Sequence, residues 1–183
     1  MKQALYILAV LSDRDFNWLI AAGKRCRVPA GTVLIQQGEP LGALYIILDG
    51  TLVVSTETLG DSEIARLSSG EVVGEISFVD FRPPTATVKA AEDSLVWSIS
   101  RSELATKLLQ EADFASHFYH ALALFLADRL RGTVSLLTYS PEPHTLEADT
   151  SPHDLHPEFL GSLETAHSRL DRLINSMKDV ISF

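Results

Sequence analysis

The sequence predicts a mainly β domain, a barrel or sandwich of short strands, with helices on either side. From Arg25 to Ser100, short apolar runs alternate with turn residues at Pro29-Ala30-Gly31, Gly38-Glu39-Pro40, Asp49-Gly50, Gly60-Asp61, Gly70-Glu71 and Arg82-Pro83-Pro84. That spacing belongs to an all-β unit. After Ile99 the apolar period lengthens to that of a helix. The 183 residues, 46% of them hydrophobic, suffice for one core plus an appendage.

Before the first strand, the opening twenty residues read as a helix pair, with Ser12 or Asp13 capping a helix from Asp15 to Ala22. The apolar run Ala4 to Leu11 resembles a short secretory leader. Ser12-Asp13-Arg14-Asp15-Phe16 comes after it without a small-residue cleavage site, so no leader is expected. No apolar run is long enough for a bilayer, and no membrane contact is expected. The segment Lys24-Arg25-Cys26-Arg27 reads as the first strand, with Cys26 turned inward as a small core residue. Leu44 to Leu48 and Thr51 to Ser55 flank Asp49-Gly50, a short-range hairpin signal.

Ser100-Arg101-Ser102-Glu103 reads as a capping box opening a helix that runs to about Gln110. A longer helix from Asp113 to Leu137 carries Phe114, Phe118, Ala121, Leu122, Phe125, Leu126, Leu130, Val134 and Leu137. Its stretch from Ala121 to Ala127 is apolar on every face, which implies burial on two sides. Ser140 to Pro157, with its prolines, acids and histidines, has linker composition. From Phe159 to Phe183, Leu160, Leu163, His167, Leu170, Ile174, Met177 and Ile181 recur at steps of three and four. The predicted organisation is therefore a domain over 1–139, a linker over 140–157 and an amphipathic helix over 158–183. That helix either docks on a protein partner or folds back on its own domain, since so short a helix is marginal unless it packs on something.

Composition removes several chemistries. A net charge of -9 opposes attraction to phosphate backbones, so nucleic acid is not an expected partner. A single cysteine allows no intrachain disulfide, and a reducing cytoplasmic setting fits best. A metal-dependent β-barrel enzyme needs imidazoles aimed into the barrel, yet all six histidines lie at position 117 or later. Asp113, His117 and His120 sit one helical turn apart, and His153 and His156 flank Asp154. Both sets read as surface groups rather than metal ligands. No nucleophile elbow, phosphate loop or convergent acid, base and nucleophile is present, so catalysis is not expected.

The stretch Gly70-Glu71-Val72-Val73-Gly74-Glu75-Ile76-Ser77-Phe78, continuing through Asp80-Phe81-Arg82-Pro83-Pro84-Thr85-Ala86-Thr87-Val88-Lys89-Ala90, reads as a glycine-led turn, one helical turn and a returning strand. It resembles the phosphate-binding cassette of the cyclic-nucleotide-binding domain. That domain is shared by protein kinase A regulatory subunits, cyclic-nucleotide-gated channels and the catabolite activator protein. Aligned without a gap, Gly74, Glu75, Thr85 and Ala86 fall on matching positions. The resemblance widens through Pro29-Ala30-Gly31-Thr32, Gly38-Glu39-Pro40, Leu44-Tyr45-Ile46-Ile47 and Gly50, and covers roughly Leu11 to Tyr139. It implies an eight-stranded jelly roll and a regulatory module for cyclic AMP or cyclic GMP, with no metal or other cofactor. The implied ligand-binding residues are Gly74, Glu75, Ile76, Ser77, Phe78, Arg82, Thr85 and Ala86. The resemblance also implies a homodimer through Asp113–Leu137. No DNA-binding module is expected, since the stretch after Tyr139 is acidic and proline-broken, then forms one helix.

One departure bears on affinity. The family's phosphate-clamping arginine falls on Pro84, which has neither charge nor donor. Losing such a charge-assisted contact costs about 2–5 kcal/mol, or roughly 30-fold to several thousand-fold in affinity. Arg82 lies two residues away on an extended stretch, and its anchor is displaced by about 6.6 Å, close to the span of an arginine stem. It is the candidate replacement. The rival reading is a degenerate domain that binds no nucleotide and acts as an adaptor, in which Glu75 serves only to cap its helix.

Overall fold

Short strands with inward apolar residues assemble two sheets whose inner faces share one core. The computed structural model describes residues 4–60, 62–138, 157–175 and 180–182. The first sheet contains β1 (Lys24–Val28), β3 (Ala43–Asp49), β6 (Val72–Val73) and β8 (Ser94–Ser100) in the order β6-β3-β8-β1, all antiparallel. The second contains β2 (Val33–Ile35), β4 (Leu52–Thr56), β5 (Ser62–Leu67) and β7 (Thr87–Ala90) in the order β2-β7-β4-β5. These eight strands form the jelly roll. Leu52 opposite Ala90 and Val54 opposite Val88 turn their side chains to the core, while Val53 and Lys89 turn outward. The two-residue side-chain period explains the alternation.

Asp49-Gly50 does not close a hairpin. β3 pairs with β6 and β8, and β4 pairs with β5 and β7, so this turn carries the chain from one sheet to the other. Gly50 has φ +89, and a Cβ there would sit 2.8 Å from the Ser94 Cα. Close approach to a neighbouring strand thus accounts for the glycine as well as hairpin chemistry would.

At the N-terminus, α1 (Ala4–Val10) and α2 (Asp13–Ala22) form the expected helix pair. Ser12 is the N-cap of α2, and Asp15 completes a capping box. The Ser12 hydroxyl donates to Asp15 Oδ2 at 2.6 Å, and His117 Nδ1 lies 2.9 Å from the same oxygen. Burial pulls the Asp15 carboxyl upward, but the bonds to Ser12 and His117 outweigh it and hold it below its ordinary value. His117 is therefore engaged with α2 rather than with Asp113. Cys26 is half-buried against the core, and burial pushes its thiol up against the pull of Lys24.

The strand-to-helix change near Ser100 stands where the period predicts it, with α4 over Arg101–Gln110. Its capping box does not form. The Ser100 hydroxyl lies 2.8 Å from that of Ser102 and makes no cap bond, so two serines satisfy each other instead. The long helix α5 spans Ala112–Thr138. Phe114, Phe118, Ala121, Leu122 and Phe125 are buried, whereas Tyr119, Leu130 and Val134 remain 46%, 64% and 49% exposed. The all-round apolar stretch is thus covered on one side within the chain.

The C-terminal segment departs furthest from its prediction. Residues 139–156, which hold nearly all of the predicted linker together with His153, Asp154 and His156, lie outside the described residues. α6 spans Pro157–Ile174 rather than continuing to Phe183, and β9 (Val180–Ser182) pairs in parallel with β1 as a fifth strand of the first sheet. Ile181 therefore belongs to a strand, and Met177 lies outside the described residues. Ala166, Arg169, Leu170 and Leu173 form the buried face, while His167 of the expected seam is exposed. The buried face rotates because the Arg169 guanidinium finds acceptors in the N-terminal helix pair. Of the two uses open to this helix, the structure shows the fold-back, since α6 packs on α1 of its own chain.

Candidate functional site

Two backbone constraints set the cassette. Gly70 donates to Ile47 O at 2.8 Å and accepts from Ala4 N at 2.8 Å, which ties the turn to β3 and α1. Gly74 has φ +93, and a Cβ there would meet Ala43 O at 3.1 Å. Only glycine fits both the left-handed backbone and that approach. The chain then turns into α3 (Glu75–Asp80), which ends at Phe81 with φ 60.

α3 presents three kinds of surface. Phe78 is buried, with its ring edge-to-face on Phe118 of α5 at 5.9 Å. Ile76 and Val79 stay 51% and 39% exposed. Ser77 is buried, and its carbonyl accepts from Arg101 Nη1 at 3.0 Å. The same guanidinium lies over Phe78 and Phe81, at 5.7 and 5.1 Å from the ring centroids. Arg101 thus closes the C-terminal end of the short helix, where carbonyls lack intrahelical donors.

Glu75 is only 2% exposed, and it pairs through Oε1 with Nη1 of Arg129 on α5. Burial pushes its carboxyl above the ordinary glutamate value, against the pull of the Arg129 charge and hydrogen bonds. Arg129 lies about three helical turns beyond Phe118, so the two share the α5 face that meets α3. Sequence reasoning missed this arginine. The available signal was a cation within an apolar helix, in register with the aromatic row that buries α3.

The predicted site residues separate into two groups. Glu75 and Phe78 meet α5, Ser77 meets Arg101 of α4, Gly74 sits against Ala43 at the start of α3, and Ile76 is half exposed. In the segment before β7, Pro84 is buried and accepts from Gly38 N at 2.9 Å through its carbonyl. Thr85 is exposed and Ala86 half-buried. The Arg82 side chain is 84% exposed, with Nε 3.9 Å from Asp80 Oδ2. Its backbone N–H also donates to Asp80 Oδ1 at 3.0 Å.

No group of three or more metal-ligating side chains occurs among the described residues. Nor, among them, is any helix long and apolar enough to cross a membrane.

Comparison with known proteins agrees with this geometry. Residues 25–111 match the family model of the cyclic nucleotide-binding domain. An uncharacterized NTE family protein of Mycobacterium tuberculosis is 31% identical over 111 residues, covering 58% of this chain and 19% of that protein. The chain thus spans less than a fifth of the length of that relative. The regulatory domain of Toxoplasma gondii PKA, co-crystallised with cAMP, superposes with a TM-score of 0.52 at 26% identity, covering 57% of this chain and 42% of that one. Thermus thermophilus catabolite activator protein superposes with a TM-score of 0.60 at 21% identity, covering 94% of this chain and 86% of that one, a likeness of fold. With its turn, short helix and returning strand in place on a two-sheet roll, the segment from 25 to 111 belongs to the cyclic nucleotide-binding domain family.

Proposed function

We propose that this chain is a cytoplasmic regulatory module that binds a cyclic nucleotide, cyclic AMP or cyclic GMP, in a site without the strand arginine. The observation that carries the reading is the buried Glu75 carboxylate, matched to the family's ribose-contacting position and held by Arg129. Arg129 pairs with Oε1, and a carboxylate with its two oxygens has acceptor capacity for a ribose hydroxyl as well. The backbone from Gly74 to Phe78, with Ile76 at its outer edge, and the segment Thr85-Ala86 surround the phosphate. Arg82 leaves Asp80 to approach it, since an exposed surface pair holds it by little.

Binding is weak for want of the clamp. We expect Kd values of about 30 μM or higher for cyclic AMP or cyclic GMP, set by the missing contact. Calorimetric titration of the whole chain checks this, with Arg82→Ala weakening binding further. An absence of heat at millimolar ligand would instead support the adaptor reading, which the buried Pro84 at the arginine position favours.

The signal leaves through α5. Because Glu75 and Phe78 both rest on α5, a ligand that moves α3 moves the helix as well, provided it binds the two arrangements with different affinity. The exposed row Tyr119, Leu130 and Val134 pairs with the same row of a second copy, as two-fold self-complementary seams do. Leu130→Asp is expected to leave a monomer in sedimentation equilibrium, whereas a wild-type monomer would contradict the pairing. The chain acts by this coupling rather than by catalysis.

A further inference from the structure

α6 and β9 lie outside the family match of 25–111; α6 packs on α1, and β9 pairs with β1 at the edge of the roll. Arg169 is 6% exposed. Its Nη1 donates to Leu8 O at 2.5 Å and Leu11 O at 2.6 Å, and its Nη2 to Asp13 Oδ1 at 2.6 Å. One guanidinium therefore occupies carbonyls at the C-terminal end of α1, which have no intrahelical donors, and also binds the first turn of α2. It lies over Phe16 at 5.4 Å, with Arg172 at 4.9 Å from the same ring. β9 adds three residues alongside β1.

The helix so held is the one next to the site. α1 packs against α6 and also against α5. Burial, and then the charge and hydrogen bond of Asp128 on α5, push the Tyr6 phenol far above its ordinary value. Asp128 immediately precedes Arg129, the partner of Glu75. Ala4 N also reaches Gly70 O at the start of the cassette. A continuous set of contacts thus runs from Arg169 through α1 and Tyr6 to the Asp128-Arg129 pair and Glu75.

We propose that the tail is a displaceable strap. Docked, it fixes α1 against α5 and so sets the Arg129–Glu75 pair; released, it frees α1 and opens the β1 edge. A buried arginine suits such a device, because polar latches add little net stability yet select one arrangement. The coupling to nucleotide rests on the function proposed above, and linkage requires it to act in both directions.

Hydrogen–deuterium exchange on the full chain tests the strap without any ligand. In Arg169→Met, exchange is expected to rise about tenfold or more across residues 4–10 and 24–28 and to extend into 121–131. A rise confined to residues 157–175 would overturn the proposal. Should that variant fail to fold, Asp13→Ala removes one exposed acceptor, and the same pattern is expected at about threefold. Wild-type exchange in Asp13→Ala beside an unfolded Arg169→Met would overturn it too. A second arm measures cyclic AMP affinity, which Arg169→Met is expected to change by about threefold or more. An unchanged Kd would overturn the link to Glu75. A wild-type chain that binds no nucleotide would sink the function proposed above, while the exchange pattern would still decide the strap.

Discussion

Arg129→Ala is expected to destabilise the chain by about 3 kcal/mol at pH 7, because it strands the Glu75 carboxylate in a site only 2% exposed. This is the low end of the range for breaking a buried pair, since the Arg129 side chain keeps 30% exposure. The corresponding fall in Tm is about 6–12 °C for a chain of this length. The effect depends on pH in a definite direction. Glu75 already titrates above its unfolded value in the folded chain, owing to burial, and Arg129 opposes that rise. Its contribution to stability is therefore fully present below the unfolded pKa and is lost as pH rises through the folded one. Removing Arg129 raises the folded value further and deepens the loss. Thermal melts of wild type and variant should converge near pH 4 and diverge toward neutrality. Glu75→Gln placed on Arg129→Ala should recover most of the loss, because it removes the unpaired charge. A variant as stable as wild type at pH 7 would show that Glu75 carries no charge in the fold.

Phe118→Ala should cost more, about 3–5 kcal/mol, the usual range for truncating a fully buried aromatic. The ring stacks on Phe114 at 5.9 Å and 16° between planes, and meets Phe78 edge-to-face. Truncation thus opens a void between α3, α5 and the N-terminal helices that rigid neighbours cannot fill. Phe118→Leu, which keeps most of the volume, should lose less than half as much. Denaturant unfolding of both variants measures the difference. A loss below about 1 kcal/mol for alanine would mean that α3 does not depend on this contact.

The local grammar of turns and periods made much of the fold legible. Ser12 capped α2, the turn signals between Arg25 and Ser100 separated the strands, and the helical period after Ile99 gave α4 and α5 to within one or two residues. Non-local pairing was less readable. Asp49-Gly50 carries hairpin chemistry, yet the strands beside it join different sheets, because pairing partners are chosen by the roll and not by the turn. At the tail, the three-and-four spacing was present, but the buried face includes Arg169, a residue whose acceptors lie at Leu8 and Leu11. No local pattern shows that.

The site divided in the same manner. Gly74 and Glu75 were legible through the resemblance to the cassette, and φ +93 at Gly74 supplies the physical reason for the glycine. Arg129 does not, because its partner lies 54 positions away and its role depends on how α5 crosses α3. Arg82 illustrates the converse. Its place two residues before position 84 on an extended stretch made it the candidate replacement, whereas the structure places it in a segment without strand pairing, beside Asp80.

In the proposed function, the Glu75 carboxylate accepts a hydrogen bond from a ribose hydroxyl of the cyclic nucleotide. The most direct test of this contact is the ratio of the affinities for cyclic AMP and 2′-deoxy cyclic AMP, measured calorimetrically on the full chain and on Glu75→Gln. Wild type is expected to favour the ribonucleotide by about tenfold, the worth of one hydrogen bond to a charged acceptor, and Glu75→Gln to narrow the ratio severalfold. A wild-type ratio near one, or no binding of either ligand at millimolar concentration, would contradict it.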